Sequence, residues 1–238
     1  RLISSLSGDL HKEASSSTVK LTNLDGRAHG GKIAGAANIK LQDPIVYEVG
    51  LELDRIDLKD IFNAGITDKD KLHDVVGLLS GNITLDSTGS KIDDIKAEGK
   101  IEITNAKLYK LPVLLGLLHV VYLTLPQKSA FKEGTIEYKI SKSRLVISEI
   151  WLNGNALSMV GSGYMDLKTK QLRLNFFTGP PGRLPVISKI GGELLKLVVN
   201  QLEMTRVTGT LDKPKIETVI LPGVTKIVEI LTSPGKEQ

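Results

Sequence analysis

The residues able to carry chemistry are few in this sequence, and they do not gather into a recognisable site. The four histidines, His11, His29, His73 and His119, are scattered and lack the HxxxH or HxH spacing of metal ligands. His119 lies in an apolar segment, where a hydrogen-bonded core histidine is the commoner role. Cysteine is absent, which removes thiolate ligands, cysteine nucleophiles and disulfides.

The carboxylates give no catalytic pattern either. Asp93 and Asp94 are adjacent, and Asp68 and Asp70 flank Lys69. Neither pair has the ligand spacing of a calcium-binding loop. These acids are therefore predicted to be solvated carboxylates in turns.

The remaining candidates also favour structural roles. The nearest approach to a nucleophile elbow is Gly161-Ser162-Gly163, which is typical of a strand start. The segment 179–183, Gly-Pro-Pro-Gly-Arg, lacks the Gly-Lys-Ser/Thr ending of a phosphate-binding loop and indicates a sharp turn. Trp151 and Tyr138 are interpreted as core aromatics. The sequence thus disfavours an enzyme and predicts no metal and no cofactor.

The elements that position these residues are mostly short strands. In 134–140, alternation places Ile136, Tyr138 and Ile140 on one face, with polar residues on the other. The same alternation predicts strands at 81–86, 99–104, 144–150, 171–176 and, more weakly, 208–211. Turn residues separate them at 141–143, 153–155, 168–170 and 212–214. The order of strand, short turn and strand is typical of an antiparallel meander.

Four segments break this alternation and are predicted to be helical. They are Asp57 to Asn63, Asp68 to Leu79, Leu111 to Leu125 and Leu184 to Leu202. Leu111 to Leu125 is almost continuously apolar, but a helix of that length reaches only about 22 Å, short of a bilayer core of about 30 Å. We therefore expect a mainly β fold with two to four short helices that cap or line the sheet.

Composition narrows the class of partner. The chain of 238 residues carries 31 Lys and Arg against 27 Asp and Glu, a small and dispersed excess. Only 4% of the residues are aromatic, which disfavours the stacking platform that single-stranded nucleic acid requires. Two architectures remain open on composition: a closed sandwich, or an open apolar trough that needs a ligand with long apolar chains.

Seven segments follow one another in an order that resembles a known family. A Gly-x-Ile-x-Ile-x-Asn-Ala strand comes first, and the closing stretch Val-Thr-Gly-Thr-Leu-Asp-Lys-Pro is the most distinctive. The segments are Gly99 to Tyr109, Leu111 to Leu125, Phe131 to Ile140, Leu145 to Met159, Gly161 to Leu167, Leu184 to Leu202 and Val207 to Pro214. This order resembles the C-terminal region of the AsmA-like proteins of the bacterial envelope, relatives of TamB.

The resemblance implies an elongated, curved antiparallel β-sheet that forms a U-shaped groove, similar in plan to bridge-like lipid transfer proteins. It also implies a place on the periplasmic side of the inner membrane. The chain begins at Arg1, so we expect the membrane anchor to lie upstream of it. We divide the sequence into an N-terminal part of the groove (1–95), an AsmA-like region (96–232) and a tail (233–238). Residues 1–95 are expected to continue the same sheet.

The leading hypothesis is a non-enzymatic groove that binds phospholipid acyl chains and contributes to phospholipid transport toward the outer membrane. The candidate lipid-binding residues are Ile83, Leu85, Ile101, Ile103, Ile136, Tyr138, Ile140, Leu145, Ile147, Leu172, Leu174 and Phe176. The alternative is a protein-interaction module that assists outer-membrane protein assembly by β-augmentation. A third reading places one of the two longest predicted helices on a bilayer surface or, with the same residues, as a lid at the end of the groove.

Overall fold

Twelve antiparallel strands in sequence order form one open sheet, as the computed structural model shows. It describes residues 4–68, 72, 74–107, 131–155, 157–179, 182, 203–210, 213–219, 229–231 and 233. The strands are β1 Ser4–His11, β2 Thr18–Ala28, β3 Gly31–Lys40, β4 Val46–Asp57, β5 Val76–Thr88, β6 Lys96–Lys107, β7 Glu133–Ser141, β8 Arg144–Asn153, β9 Ser158–Asp166, β10 Leu172–Gly179, β11 Glu203–Gly209 and β12 Pro214–Val219. Each strand pairs with the next, and β1 does not pair with β12, so the expected mainly β, open antiparallel sheet is confirmed.

Helices are short in the described part of the chain. The helix α1, Leu58–Phe62, begins after Asp57, whose carboxylate accepts a hydrogen bond from the Lys59 amide. A single 3-10 turn follows at Ile92–Asp94. The predicted helix at 57–63 is thereby confirmed. The segments 111–125 and 184–202 lie outside the described residues.

The predicted helix from Asp68 to Leu79 is wrong at its C-terminal half. Residues 74 and 75 are not helical, and β5 begins at Val76. The backbone of β5 is hydrogen-bonded to β4 on one side and to β6 on the other. This pairing of thirteen residues outweighs the weak helical spacing of Leu72, Val75 and Leu79, and Gly77 is a poor helix former.

The six odd-to-even connections lie at one edge of the sheet, because the strands alternate in direction. We call this the hairpin edge; its connections are 12–17, 41–45, 89–95, 142–143, 167–171 and 210–213. The even-to-odd connections lie at the other edge. We call it the α1 edge, since α1 belongs to the connection between β4 and β5.

The pairing register divides the side chains into two faces. Across β4 to β8, Leu51, Ile83, Gly99, Tyr138 and Ile147 stand directly beside one another. We call the face that carries them the apolar face. The other face carries charged pairs in its middle strands, such as Lys100–Glu102 at 2.9 Å and Lys139–Glu98 at 2.8 Å.

Each even strand from β2 to β8 contains a register shift, the mark of a β-bulge. In β2, β4 and β6 a residue with positive φ lies at the shift: Asn23 (51°), Arg55 (55°) and Asn105 (52°). A bulge moves the alternation by one residue, so the apolar face resumes after a gap of three, as at Leu53 and Ile56. Bulges also increase the local twist, which bends a long sheet out of plane.

Burial divides the sheet into two halves. On β2 to β8 most side chains of the apolar face are only half-buried, whereas on β10 Leu174 and Phe176 are buried. Strands β9 to β11 also bury the opposite face, where Phe177 is 0% exposed. There the Ser162 hydroxyl donates a 3.0 Å hydrogen bond to the carbonyl of Ile230, from a buried C-terminal segment.

The strained backbone at Arg55 gives a test of the bulges. A β-branched residue resists positive φ, whereas glycine adopts it freely. We expect Arg55→Val to be less stable than Arg55→Gly by about 1–2 kcal/mol in urea unfolding. Equal stabilities of the two variants would contradict a left-handed residue at this position.

A glycine on the apolar face gives a second test. A Cβ at Gly161 would lie 2.6 Å from Phe176 Cδ1 and 2.8 Å from the Asn175 carbonyl oxygen. We expect Gly161→Ala to lower the free energy of unfolding by about 2 kcal/mol, because the packed core cannot move aside. The matched control is Gly50→Ala in β4, where a Cβ meets nothing within 4 Å. Gly50→Ala should leave stability unchanged or raise it by about 0.5–1 kcal/mol.

Candidate functional site

The candidate site is the half-buried part of the apolar face, on β2 to β8. All twelve residues named from the sequence as lipid-binding candidates lie on this face, as the pairing register requires. Eight of them are only half-buried: Ile83, Leu85, Ile101, Ile136, Tyr138, Ile140, Leu145 and Ile147. They form a continuous strip across β5, β6, β7 and β8.

The other four candidates belong to the packed core. Ile103 is 8% exposed, Leu172 4%, Leu174 7% and Phe176 2%. They belong to one cluster of buried side chains that includes Leu58 of α1 and extends along β10 to Leu172, next to the hairpin edge. The structure therefore brings eight candidates to an accessible strip and four to the core beside it.

Sequence reasoning missed the N-terminal extension of this strip. In β4, Tyr47, Val49, Leu51 and Leu53 alternate with exposed residues and are half-buried on the apolar face. Ile39 of β3 stands directly opposite Tyr47. The alternation in 46–54 was the available signal, and it has the same form as the one in 134–140.

Glycines make room for large side chains on the apolar face. The Tyr138 ring lies over Gly99 of the neighbouring strand, and a Cβ at Gly99 would lie 3.0 Å from the Tyr138 hydroxyl oxygen. Burial raises the pKa of the Tyr138 phenol above its ordinary value. Trp151, also interpreted as a core aromatic, is half-buried and lies on the opposite face.

A cavity of about 660 Å³ opens where the apolar face meets the hairpin edge. Its walls come from the apolar face and from the connections that follow β3 and β5. The lining residues are Ile39, Asp43, Pro44, Ile45, Tyr47, Val49, Gly89 and Ser90. This volume is within the range of small-molecule pockets, about 300–1,000 Å³.

Three connections of the hairpin edge are held together by Asp93. Its carboxylate accepts hydrogen bonds from the Ser143 hydroxyl at 2.5 Å and from the Lys168 ammonium at 2.6 Å. On a flat sheet, the β5–β6 and β9–β10 connections would be about 19 Å apart, four strand spacings. One carboxylate joins them, so the connections lean toward one another along this edge. The prediction of a merely solvated turn acid thus missed the role of Asp93.

Metal and membrane-helix signals are lacking among the described residues. No group of three or more histidine, aspartate or glutamate side chains is placed to hold a metal ion in that part of the chain. Within the same residues, no helix is long and apolar enough to cross a bilayer.

Comparison with known proteins identifies no relative of this chain. No protein-family model, curated protein or solved structure matches the chain. The described residues define an open, twelve-stranded antiparallel β-sheet whose apolar face is only half-buried on β2 to β8.

The Asp93 contacts predict a pH-dependent stability. Lys168 first, and Ser143 second, hold the pKa of the Asp93 carboxyl below its ordinary value. A carboxyl whose folded-state pKa is lowered stabilises the fold above its unfolded-state pKa, about 4, and loses that contribution as the pH falls through the lowered value. We expect Asp93→Asn to lower the thermal midpoint near pH 7 and to have no effect well below pH 4.

The control for this experiment is Asp94→Asn. Asp94 is also exposed and precedes β6 in the same connection, so its substitution makes the same change in net charge. Asp94→Asn should leave the thermal midpoint nearly unchanged at both pH values. An Asp93 effect that persists in strong acid would show that the carboxylate contacts do not cause it.

Proposed function

We propose that the chain is a non-enzymatic lipid-binding segment whose apolar face holds phospholipid acyl chains. The observation that carries this proposal is the half-buried apolar strip on β2 to β8, in a sheet that does not close on itself. A contiguous apolar strip on a protein surface marks an interaction site, and acyl chains match its chemistry. Covering it gains about 25 cal/mol for each Å² of apolar surface removed from water.

The resemblance to AsmA-like proteins adds the cellular setting to this proposal. In that setting the chain is part of an inner-membrane-anchored protein on the periplasmic side of the bacterial envelope. Its groove contributes to phospholipid transport toward the outer membrane and so to envelope integrity. The open sheet supports this reading because a path for lipid needs an apolar face that stays accessible along the strands.

The lipid-binding proposal is tested by charging the strip. Leu51 and Ile83 stand opposite each other on β4 and β5 and are half-buried. We expect Leu51→Glu with Ile83→Glu to reduce co-purifying phospholipid by about tenfold, because each buried carboxylate is costly to desolvate. The measurement is native mass spectrometry of the chain purified from a bacterial host, with lipid extraction of the same sample.

The matched control places the same charges on the opposite face. Thr84 and Thr104 are exposed there, on β5 and β6. Thr84→Glu with Thr104→Glu should retain the wild-type amount of phospholipid. A folded Leu51/Ile83 variant that keeps its lipid, or a wild-type protein with none, would rule out the proposed groove.

A second candidate function is the protein-interaction module, and β1 favours it. All eight residues of β1 are exposed, and its outer edge has no partner strand among the described residues. It contains no lysine or proline, two residues that commonly protect a sheet edge, and its protection is limited to a β-bulge between Ser4 and Ser7 and to Asp9. The other terminal strand, β12, begins with Pro214 and carries Lys215 and Glu217.

Binding of a partner strand to β1 is tested separately from lipid binding to the apolar face. If β1 accepts a partner strand, wild-type protein should capture unfolded outer-membrane β-barrel proteins, and Leu6→Lys should reduce the capture. Leu6 is 62% exposed, so this substitution does not disturb the core. Capture that is unaffected by Leu6→Lys would exclude the β1 edge as the binding element.

A further inference from the structure

The cavity at the hairpin edge has walls of two kinds. Ile39, Tyr47 and Val49 line it from the apolar face of the sheet. Asp43 and Ser90 line it from the connections that follow β3 and β5. A molecule that fills the cavity must therefore be amphiphilic, with an apolar part against the sheet and a polar part at the edge.

Backbone hydrogen bonds hold the connection that carries Asp43. At its start, the Leu41 amide donates a 2.7 Å hydrogen bond to the carbonyl of Ser17 in the β1–β2 connection. At its end, the Ile45 carbonyl accepts a 2.7 Å hydrogen bond from the amide of Gly89 in the β5–β6 connection. The connection is thus tied to both of its neighbours along the edge, which keeps Asp43 beside the cavity.

Asp43 supplies the ionised group of the lining. Among the described residues that line the cavity it is the charged one, and in that part of the chain it makes no ion pair and no side-chain hydrogen bond. Asp93 in the next connection differs, because Ser143 and Lys168 already donate hydrogen bonds to its oxygens. The Asp43 carboxylate can therefore accept hydrogen bonds from a cation on a ligand.

Two lysines adjoin the lining residues in sequence, and they differ in position. Lys40 follows Ile39 in β3 and so lies on the opposite face of the sheet. Lys91 follows Ser90 in the β5–β6 connection and is exposed. A carboxylate in the lining with an ammonium group beside it matches a headgroup that carries both charges, whereas the carboxylate repels a headgroup that is only anionic.

We propose that this cavity is a headgroup site for a zwitterionic phospholipid, whose ammonium group binds the Asp43 carboxylate. The phosphate of the same headgroup lies toward Lys91, and the acyl chains pass Ile39 and Tyr47 onto the apolar face. The inference rests on the proposed lipid-binding function and adds to it a preference among lipids. The apolar strip alone gives no such preference, since acyl chains are common to all phospholipids.

The headgroup preference is measured by competition between two lipids for the full chain. The chain is loaded from detergent micelles that contain equal amounts of phosphatidylethanolamine and phosphatidylglycerol with identical acyl chains, and the retained lipids are quantified by mass spectrometry. We expect phosphatidylethanolamine to be retained about threefold more, the scale of one exposed ion pair, and salt to reduce this excess. Asp43→Asn should abolish the preference without changing the total lipid retained, and Asp43→Lys should reverse it.

The matched control is Glu52→Gln, which makes the same change in net charge as Asp43→Asn. Glu52 is exposed on the opposite face of β4, between Leu51 and Leu53, so this variant should keep the wild-type preference. Loss of the preference in Glu52→Gln would overturn the site, because net charge would then explain the effect.

The remaining outcomes separate the headgroup site from lipid binding itself. Equal retention of the two lipids by the wild type, or a preference that survives Asp43→Asn, would overturn the headgroup site and leave the proposed lipid-binding function standing. A wild-type chain that retains neither lipid would overturn the proposed function, and the headgroup site with it.

Discussion

The rest of the structure depends on a difference between two interactions: the backbone hydrogen bonds of the sheet are satisfied, but the side chains of its apolar face are incompletely buried. Each of the twelve strands is hydrogen-bonded to its neighbours, and among the described residues β1 and β12 are the strands with an open side. The side chains of the apolar face have no second sheet to pack on among the described residues. Hydrogen bonding therefore fixes the fold, while burial of the apolar face is incomplete on β2 to β8.

Burial of the side chains differs between the C-terminal and the N-terminal strands of the sheet. In β9 to β11 both faces are buried, and Phe176 and Phe177 of one strand point to opposite sides of the sheet and are each almost fully enclosed. In β2 to β8 the bulges and the glycines on the apolar face shape the sheet so that large side chains partly shield one another. The Tyr138 ring over Gly99 is one such contact. Burial is thus greatest near the C-terminal strands, whereas the N-terminal strands leave more of their apolar surface exposed.

Much of this arrangement was predictable because alternation is a local signal. The strands at 81–86, 99–104 and 134–140, and the shared face of Ile136, Tyr138 and Ile140, follow directly from the two-residue period of a strand. Burial was not predictable in the same way. Ile103 and Ile101 are equivalent in the pattern, yet Ile103 is buried because it lies near Leu58 and Phe131 at the α1 edge. Those contacts join residues far apart in sequence, as does the Asp93–Lys168 pair. The local alternation of apolar and polar residues therefore cannot predict them.

The bulges explain why the N-terminal strands are hard to recognise in the sequence. A shift at Arg55 or Asn23 breaks the alternation, so Leu53 and Ile56 are three residues apart although they share a face. Register shifts of this kind occur on β1, β2, β4, β6 and β8, and each increases the local twist of the sheet. Under the proposed lipid-binding function, an extended acyl chain would contact side chains of several strands at once, and the bulges would matter because each returns the apolar residues to the shared face after the shift.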